Sequence, residues 1–362
     1  MSKVLWPFRF GAALLISLLI WEALLRVLIV SPTSYADNAP FGWMPRPHAR
    51  GMSAIEGRAV AVYNARGFRS DEIVPKAAGE TRILCLGDSY TEGIQVAAQS
   101  TFASRLQTLL RENGVSGARV YNGGRSGPSV AYSVALADDY QKMFAPDWVV
   151  ILVRDQWTLM FSHAQEIRYR RAGNGFEIER TNYWDSLGRM TKIATKSGLR
   201  DLAVSTYGKR QLDEMRAPDN TSNNADSGTK ANKIPNVIAP QSTLGVPIDT
   251  NLPRSLRAVE WTLSQLKRKY PRLILVSMPE SSPEAAGLLP VTPTEKRFGE
   301  VCATLQLPLV EMRSIIEADF RRTHLPPFGF SNTLPWLGHP NEHGHELIAR
   351  GIEARLRPLL QP

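Results

Sequence analysis

The chain has 362 residues, a hydrophobic fraction of 43% and a charged fraction of 21%, values of a globular protein with a sizeable core. Its formal net charge of +9 suits an anionic neighbour, yet no RNP motif, zinc-finger spacing or long lysine-arginine run accompanies it, which argues against a nucleic-acid partner. The two cysteines, Cys85 and Cys302, exclude a disulfide framework and a cysteine-based zinc site, although a single bridge stays open if the domain lies outside the cytoplasm.

Residues 1–31 read as a transmembrane anchor. FGAALLISLLIWEALLRVLIV, at 10–30, is almost continuously apolar and long enough to cross a hydrocarbon core. Its two ionisable residues, Glu22 and Arg26, are spaced to pair along one helix face. The competing reading is a cleaved signal peptide, with Lys3 and Arg9 as its positive region and Ser34-Tyr35-Ala36 as its cleavage site. The apolar run is longer than a signal core, which favours the anchor, and both readings put the large domain outside the cytoplasm.

Residues 32–80, rich in proline, glycine and polar groups, read as a connector with a small β element such as RAVAVY. From residue 81 the pattern changes. Arg82–Leu86 (RILCL) is a short buried strand, so Cys85 reads as a core thiol; a helical pattern follows at Thr101–Asn113. Arg119–Asn122 is the next strand, Val130–Phe144 a helix and Trp148–Val153 (WVVILV) a strongly buried strand. Such alternation predicts a parallel sheet covered on both faces.

The alternation stops near Leu159 and returns near Arg254, so 160–252 is an insertion. Within it RYRR, at 168–171, reads as a solvated face or strand edge, Gly175–Arg180 as strand and Thr191–Met215 as partly helical. Residues 217–247 are polar and expected to be flexible. A helix through Lys269, the strand LILVSM at 273–278, a helix over Thr294–Leu305, the strand LPLVEM at 307–312, a helix through Arg321 and a terminal helix complete the domain.

In an open parallel sheet the reactive crevice lies beyond the carboxyl ends of the strands, where Gly87-Asp88-Ser89 stands. The plain reading of that triplet is a helix cap. Its context is more specific. GDSYTEG at 87–93, with NARGFRSDE before it, resembles block I of the SGNH/GDSL hydrolases in their membrane-anchored form. YNGGRSGPS at 121–129 is similar to block II, and HPNEHGHELIA at 339–349 to block V. This resemblance implies a three-layer α/β/α, flavodoxin-like domain over 81–362, with Ser89 as nucleophile and His339 as its base. It also implies an oxyanion hole from the N–H groups of Ser89 and Gly127, with Gly124 the adjacent alternative, and from a block III amide. His345 would be the structural histidine of the motif, with His343 exposed. Asp88 would hold the turn through local N–H groups.

Two blocks depart from the family. Block III's Gly-x-Asn-Asp is replaced by Arg154-Asp155-Gln156-Trp157, so Gln156 is the candidate third donor, on a longer stem. Arg154 either pairs with Asp155 or faces an anionic substrate group. Block V's aspartate, three residues before the histidine, is replaced by Trp336, whose backbone carbonyl is expected to orient the imidazole in a Ser89–His339 dyad. No cofactor or metal is expected, because His339, His343 and His345 have only Glu342 and Glu346 beside them, at poor ligand spacing.

The resulting expectation is an extracytoplasmic esterase acting on acetyl groups of a polysaccharide, with acyl transfer as a variant. The alternatives are a lipid esterase or lysophospholipase, and a noncatalytic glycan-binding or scaffold protein with an altered SGNH fold.

Overall fold

The computed structural model describes residues 2–28, 30–31, 33–53, 55–127, 130–154, 167–173, 175–180, 202 and 252–360. It opens with α1 (Ser2–Leu28), in which Phe8–Leu28 has a mean hydropathy of 2.0. That stretch is about 30 Å of helix, the thickness of a hydrocarbon core. Leu14, Leu15 and Trp21 are exposed on it, and Arg26 Nε donates to Glu22 Oε1 at 2.6 Å. Among the described residues it is the one helix long and apolar enough to span a membrane, and a signal sequence has the same appearance.

Five short strands follow: β1 (Val30–Ser31), β2 (Tyr35–Asn38), β3 (Gly42–Pro45), β4 (Arg50–Ser53) and β5 (Val60–Val62). β1, β4 and β5 form one antiparallel sheet, and β2 pairs with β3. This segment does more than connect. Phe41, Met44 and Phe68 are fully buried in the main core, with the Phe41 and Phe68 rings edge to face at 5.4 Å. Arg125 reaches out of the sheet domain to donate to the carbonyls of Phe41 at 2.7 Å and Trp43 at 2.9 Å.

The domain proper runs β6 (Thr81–Leu86), α2 (Ser89–Glu92), α3 (Phe102–Glu112), β7 (Ala118–Asn122), α4 (Val130–Ala135), α5 (Ala137–Phe144) and β8 (Trp148–Arg154). A hairpin, β9 (Ile167–Ala172) with β10 (Gly175–Arg180), comes from the insertion. RYRR therefore lies in a strand. The helix expected over Thr191–Met215, apart from Leu202, the stretch 217–247 for which flexibility is expected, and Gln156 lie outside the described residues. The chain continues through α6 (Leu252–Lys269), β11 (Leu273–Met278), the two-residue strands β12 (Ser281–Ser282) and β13 (Gly287–Leu288), α7 (Pro293–Thr304), β14 (Leu309–Glu311), α8 (Met312–Thr323) and α9 (Glu342–Leu360).

The main sheet is parallel, in the order β14-β11-β8-β6-β7. Numbered along the chain, that is 2-1-3-4-5, the flavodoxin-like order, whose winding reverses between its first and third strands. Those are β6 and β8. Strand periodicity sorts the core into two layers. Leu84, Leu86, Val149, Ile151 and Leu275 face α4–α7, whereas Ile83, Cys85, Val150, Leu152 and Val276 face α3, α8 and α9. The result is a three-layer α/β/α domain. Cys85 and Cys302 are both free and buried, and they sit in opposite layers, so the bridge left open by the sequence does not form.

Candidate active site

The carboxyl end of β6 turns sharply at Gly87, whose φ of +153° carries no side chain comfortably. A Cβ there would strike the Thr91 side chain and come to 3.0 Å from the Leu152 carbonyl. Asp88 then caps α2, its Oδ1 accepting from the Tyr90 N–H at 2.9 Å. Ser89 is thus the first helical residue, at the mouth of the switch point between β6 and β8.

His339 arrives from the loop before α9. Gly338, at φ +78°, precedes it, and the Tyr90 hydroxyl donates to the Gly338 carbonyl at 2.7 Å. Burial pushes that phenol up to about 12, so it serves as a donor. Asn341 fastens the far side of the loop, donating to the carbonyls of Pro326 and Gly329 at 2.9 Å each. Between these anchors His339 Nε2 lies 2.8 Å from Ser89 Oγ.

The other ring nitrogen, Nδ1, bonds Glu56 Oε2. Glu56 Oε1 also accepts the backbone N–H of His339 at 3.1 Å. One carboxylate therefore grips both the ring and the main chain of the same residue. Its own loop, between β4 and β5, is clasped in turn: Asn332 Oδ1 accepts the Gly57 N–H at 3.0 Å, and Asn332 Nδ2 donates to the Gly57 carbonyl at 3.3 Å. The expected Trp336 carbonyl is engaged elsewhere, accepting Ser281 Oγ at 2.9 Å. Trp336 holds φ +66° with its ring buried. Glu56 is the residue that sequence reasoning missed. A search three residues before the histidine finds only Trp336, and nothing local marks a glutamate 283 positions away.

The loop over 122–127, which resembles block II in sequence, lies against α2. A Cβ on Gly124 would collide with the main chain at Thr91 and Glu92, and the Gly124 N–H donates to Asn122 Oδ1 at 2.9 Å. Gly124 is therefore a packing glycine whose N–H is already used. Gly127, at φ +93°, is exposed with open space around its Cβ position.

Arg154 ends β8 with Nε 3.2 Å from Asp88 Oδ2 and its guanidinium 4.7 Å above the Tyr90 ring. Its charge is set against a buried carboxylate in this arrangement. His343 is half-buried rather than exposed, because its Nε2 bonds Asp319 at 2.6 Å. His345 is fully buried, with Nδ1 accepting the Phe102 N–H at 3.2 Å, and burial pushes its imidazole down to about 3.

No family model matches the chain, and no curated protein does. Solved structures do. It is similar to a two-domain esterase active on acetylated mannans, at 14% identity and TM-score 0.41, covering 79% of this chain and 51% of that one. The chain thus spans about half the length of that esterase. It is similar to an acetylxylan esterase from Geobacillus stearothermophilus, in a catalytic mutant, at 13% identity and TM-score 0.38, covering 78% and 96%. It is also similar to a lipase/acylhydrolase from Enterococcus faecalis, at 13% identity and TM-score 0.39, covering 77% and 96%.

Proposed function

We propose that the protein is an SGNH-type serine hydrolase that cleaves esters with Ser89 as nucleophile, His339 as general base and Glu56 as the carboxylate that orients it. The observation carrying this reading is the chain of contacts from Ser89 Oγ through the His339 ring to Glu56. A free hydroxyl is a weak nucleophile at neutral pH, and a base within hydrogen-bond reach makes it reactive. With Glu56 accepting from Nδ1–H, the lone pair on Nε2 faces Ser89. Ser89 Oγ adds to the acyl carbon while its proton passes to Nε2. The tetrahedral oxyanion takes hydrogen bonds from the Ser89 and Gly127 N–H groups, with Gln156, which stands where the family has asparagine, as the candidate third donor. His339 then returns the proton to the departing alcohol oxygen. Water or a sugar hydroxyl repeats the sequence on the acyl-enzyme.

The substrate class we infer is acetyl or similar ester groups on an extracytoplasmic polysaccharide, a reading supported by the resemblance of GDSYTEG and its approach to anchored hydrolases and by α1 as a tether. The test is hydrolysis of p-nitrophenyl acetate and of an acetylated polysaccharide by the full chain, by Ser89→Ala and by His339→Ala. Wild-type turnover that falls to background in both variants is expected. Undiminished turnover in either variant overturns the assignment, and preference for long-chain esters replaces the polysaccharide with a lipid.

A further inference from the structure

Three residues beyond Ser89, on the same short helix, Glu92 is 3% exposed and carries a carboxylate with three donors on it. Tyr63 OH donates to Oε1 at 2.8 Å. The Ser126 main-chain N–H donates to Oε2 at 2.6 Å, and the Ser126 hydroxyl bonds the same oxygen. Arg69, itself buried, runs alongside, donating to the carbonyls of Glu92 at 3.0 Å and Val96 at 2.6 Å. Burial pushes its guanidinium below the ordinary value, and the Glu92 carboxylate opposes that shift.

A buried carboxylate is expensive unless fully bonded, and charge-assisted bonds are about twice as strong as neutral ones. What this one holds is the block II loop. Two of its three donors come from Ser126, the residue immediately before Gly127. Earlier in the loop, Asn122 Nδ2 donates to the Thr91 carbonyl of α2 at 2.8 Å, the Gly123 N–H to the Cys85 carbonyl of β6 at 2.7 Å and the Arg125 N–H to the carbonyl of Gly87, just past β6, at 3.2 Å. Through Ser126, α2 grips the loop at the residue immediately before Gly127, which holds a φ of +93°.

We propose that Glu92 is the positioning residue of the oxyanion hole: by holding Ser126 through its N–H and its hydroxyl, it aims the next N–H, that of Gly127, at the oxygen developing charge over Ser89. This rests on the hydrolase reading above. Nucleophile and oxyanion donor are then set by opposite ends of one four-residue helix, so their separation is fixed by that helix. The Glu92 side chain touches no substrate atom; it acts through Ser126.

The experiment compares Glu92→Gln and Ser126→Ala with the wild-type full chain for kcat, KM and inhibition by phenylboronic acid, whose adduct with a serine places an oxygen in the hole. Glu92→Gln should lower kcat about 100-fold, the effect of losing one oxyanion donor, leave KM within about 2-fold, and weaken the boronic acid by a matching factor. Ser126→Ala keeps its N–H bond and should lie between the two. Hydrogen exchange over 123–127 should rise in Glu92→Gln. A kcat that falls without weaker boronate binding would make Glu92 merely structural, and wild-type kinetics in both variants would refute the proposal. If Glu92→Gln does not fold, Ser126→Ala decides alone, with wild-type kcat and boronate affinity as the contrary result. An inert wild type would instead sink the hydrolase reading, and this inference with it.

Discussion

An imidazole that accepts the Ser89 proton becomes a cation, and the group on its far nitrogen decides which tautomer waits beforehand. In the proposed mechanism Glu56 does both jobs, since its carboxylate bonds Nδ1 and the His339 main chain together. Glu56→Gln keeps the shape and lets an amide N–H face the ring. We expect kcat to fall by up to about 10⁴-fold with KM nearly unchanged, measured on p-nitrophenyl acetate. His345 makes the stability of the fold depend on pH. Its folded-state value of about 3 lies below the ordinary 6.5, so the unfolded chain binds that proton first as pH falls. Its contribution to stability is complete above pH 6.5 and is lost across the window down to 3, by up to about 1.4 kcal/mol per pH unit. Urea unfolding at pH 7 and pH 5 should therefore diverge, and His345→Asn, whose amide oxygen replaces Nδ1 as acceptor, should narrow the gap. Ser89 and His339, which the structure places 2.8 Å apart, are legible as candidates because each sits in a short local motif. Glu56 is not, because a contact across 283 positions leaves no local pattern.

At the scale of elements, the five strands of the main sheet could be read from apolar runs, because a strand buried on both faces is continuously hydrophobic. β14 is shorter than expected, Leu309–Glu311, since only that part of LPLVEM finds a ladder partner on β11. Of the short strands in 30–62, β5 falls inside RAVAVY, the β element read from the sequence, whereas β1 to β4 are not legible because two to four residues are too few to show alternation. What attaches them is equally nonlocal. Arg125, buried and bonded to the Phe41 and Trp43 carbonyls, fastens β3 and the turn before it to the block II loop. Arg125→Ala leaves both carbonyls without their donor and should lower unfolding free energy by roughly 3 kcal/mol in a denaturant titration. Gly338→Ala tests the site more directly. A Cβ there would occupy the place of Glu56 Oε1, at a backbone φ of +78°. Esterase activity should fall in that variant.

For the whole molecule, the segment between α1 and the sheet domain belongs to the proposed site, since it carries Glu56 and sits directly after the apolar helix. A chain begun at residue 81 should therefore lack the orienting carboxylate and turn over far more slowly than the full chain. If α1 is an anchor, the expressed protein should stay in membranes through an alkaline carbonate wash with its N-terminal residues intact by mass; a mature protein beginning near residue 37 would make it a signal peptide. In the proposed mechanism Ser89 is made nucleophilic by the residues around it. Treatment of the full chain with a fluorophosphonate, followed by peptide mass spectrometry, tests this at the atom concerned. The prediction is one adduct, on Ser89, absent in Ser89→Ala and strongly slowed in His339→Ala and Glu56→Gln. An unlabelled wild type, or labelling that persists in Ser89→Ala, would contradict it.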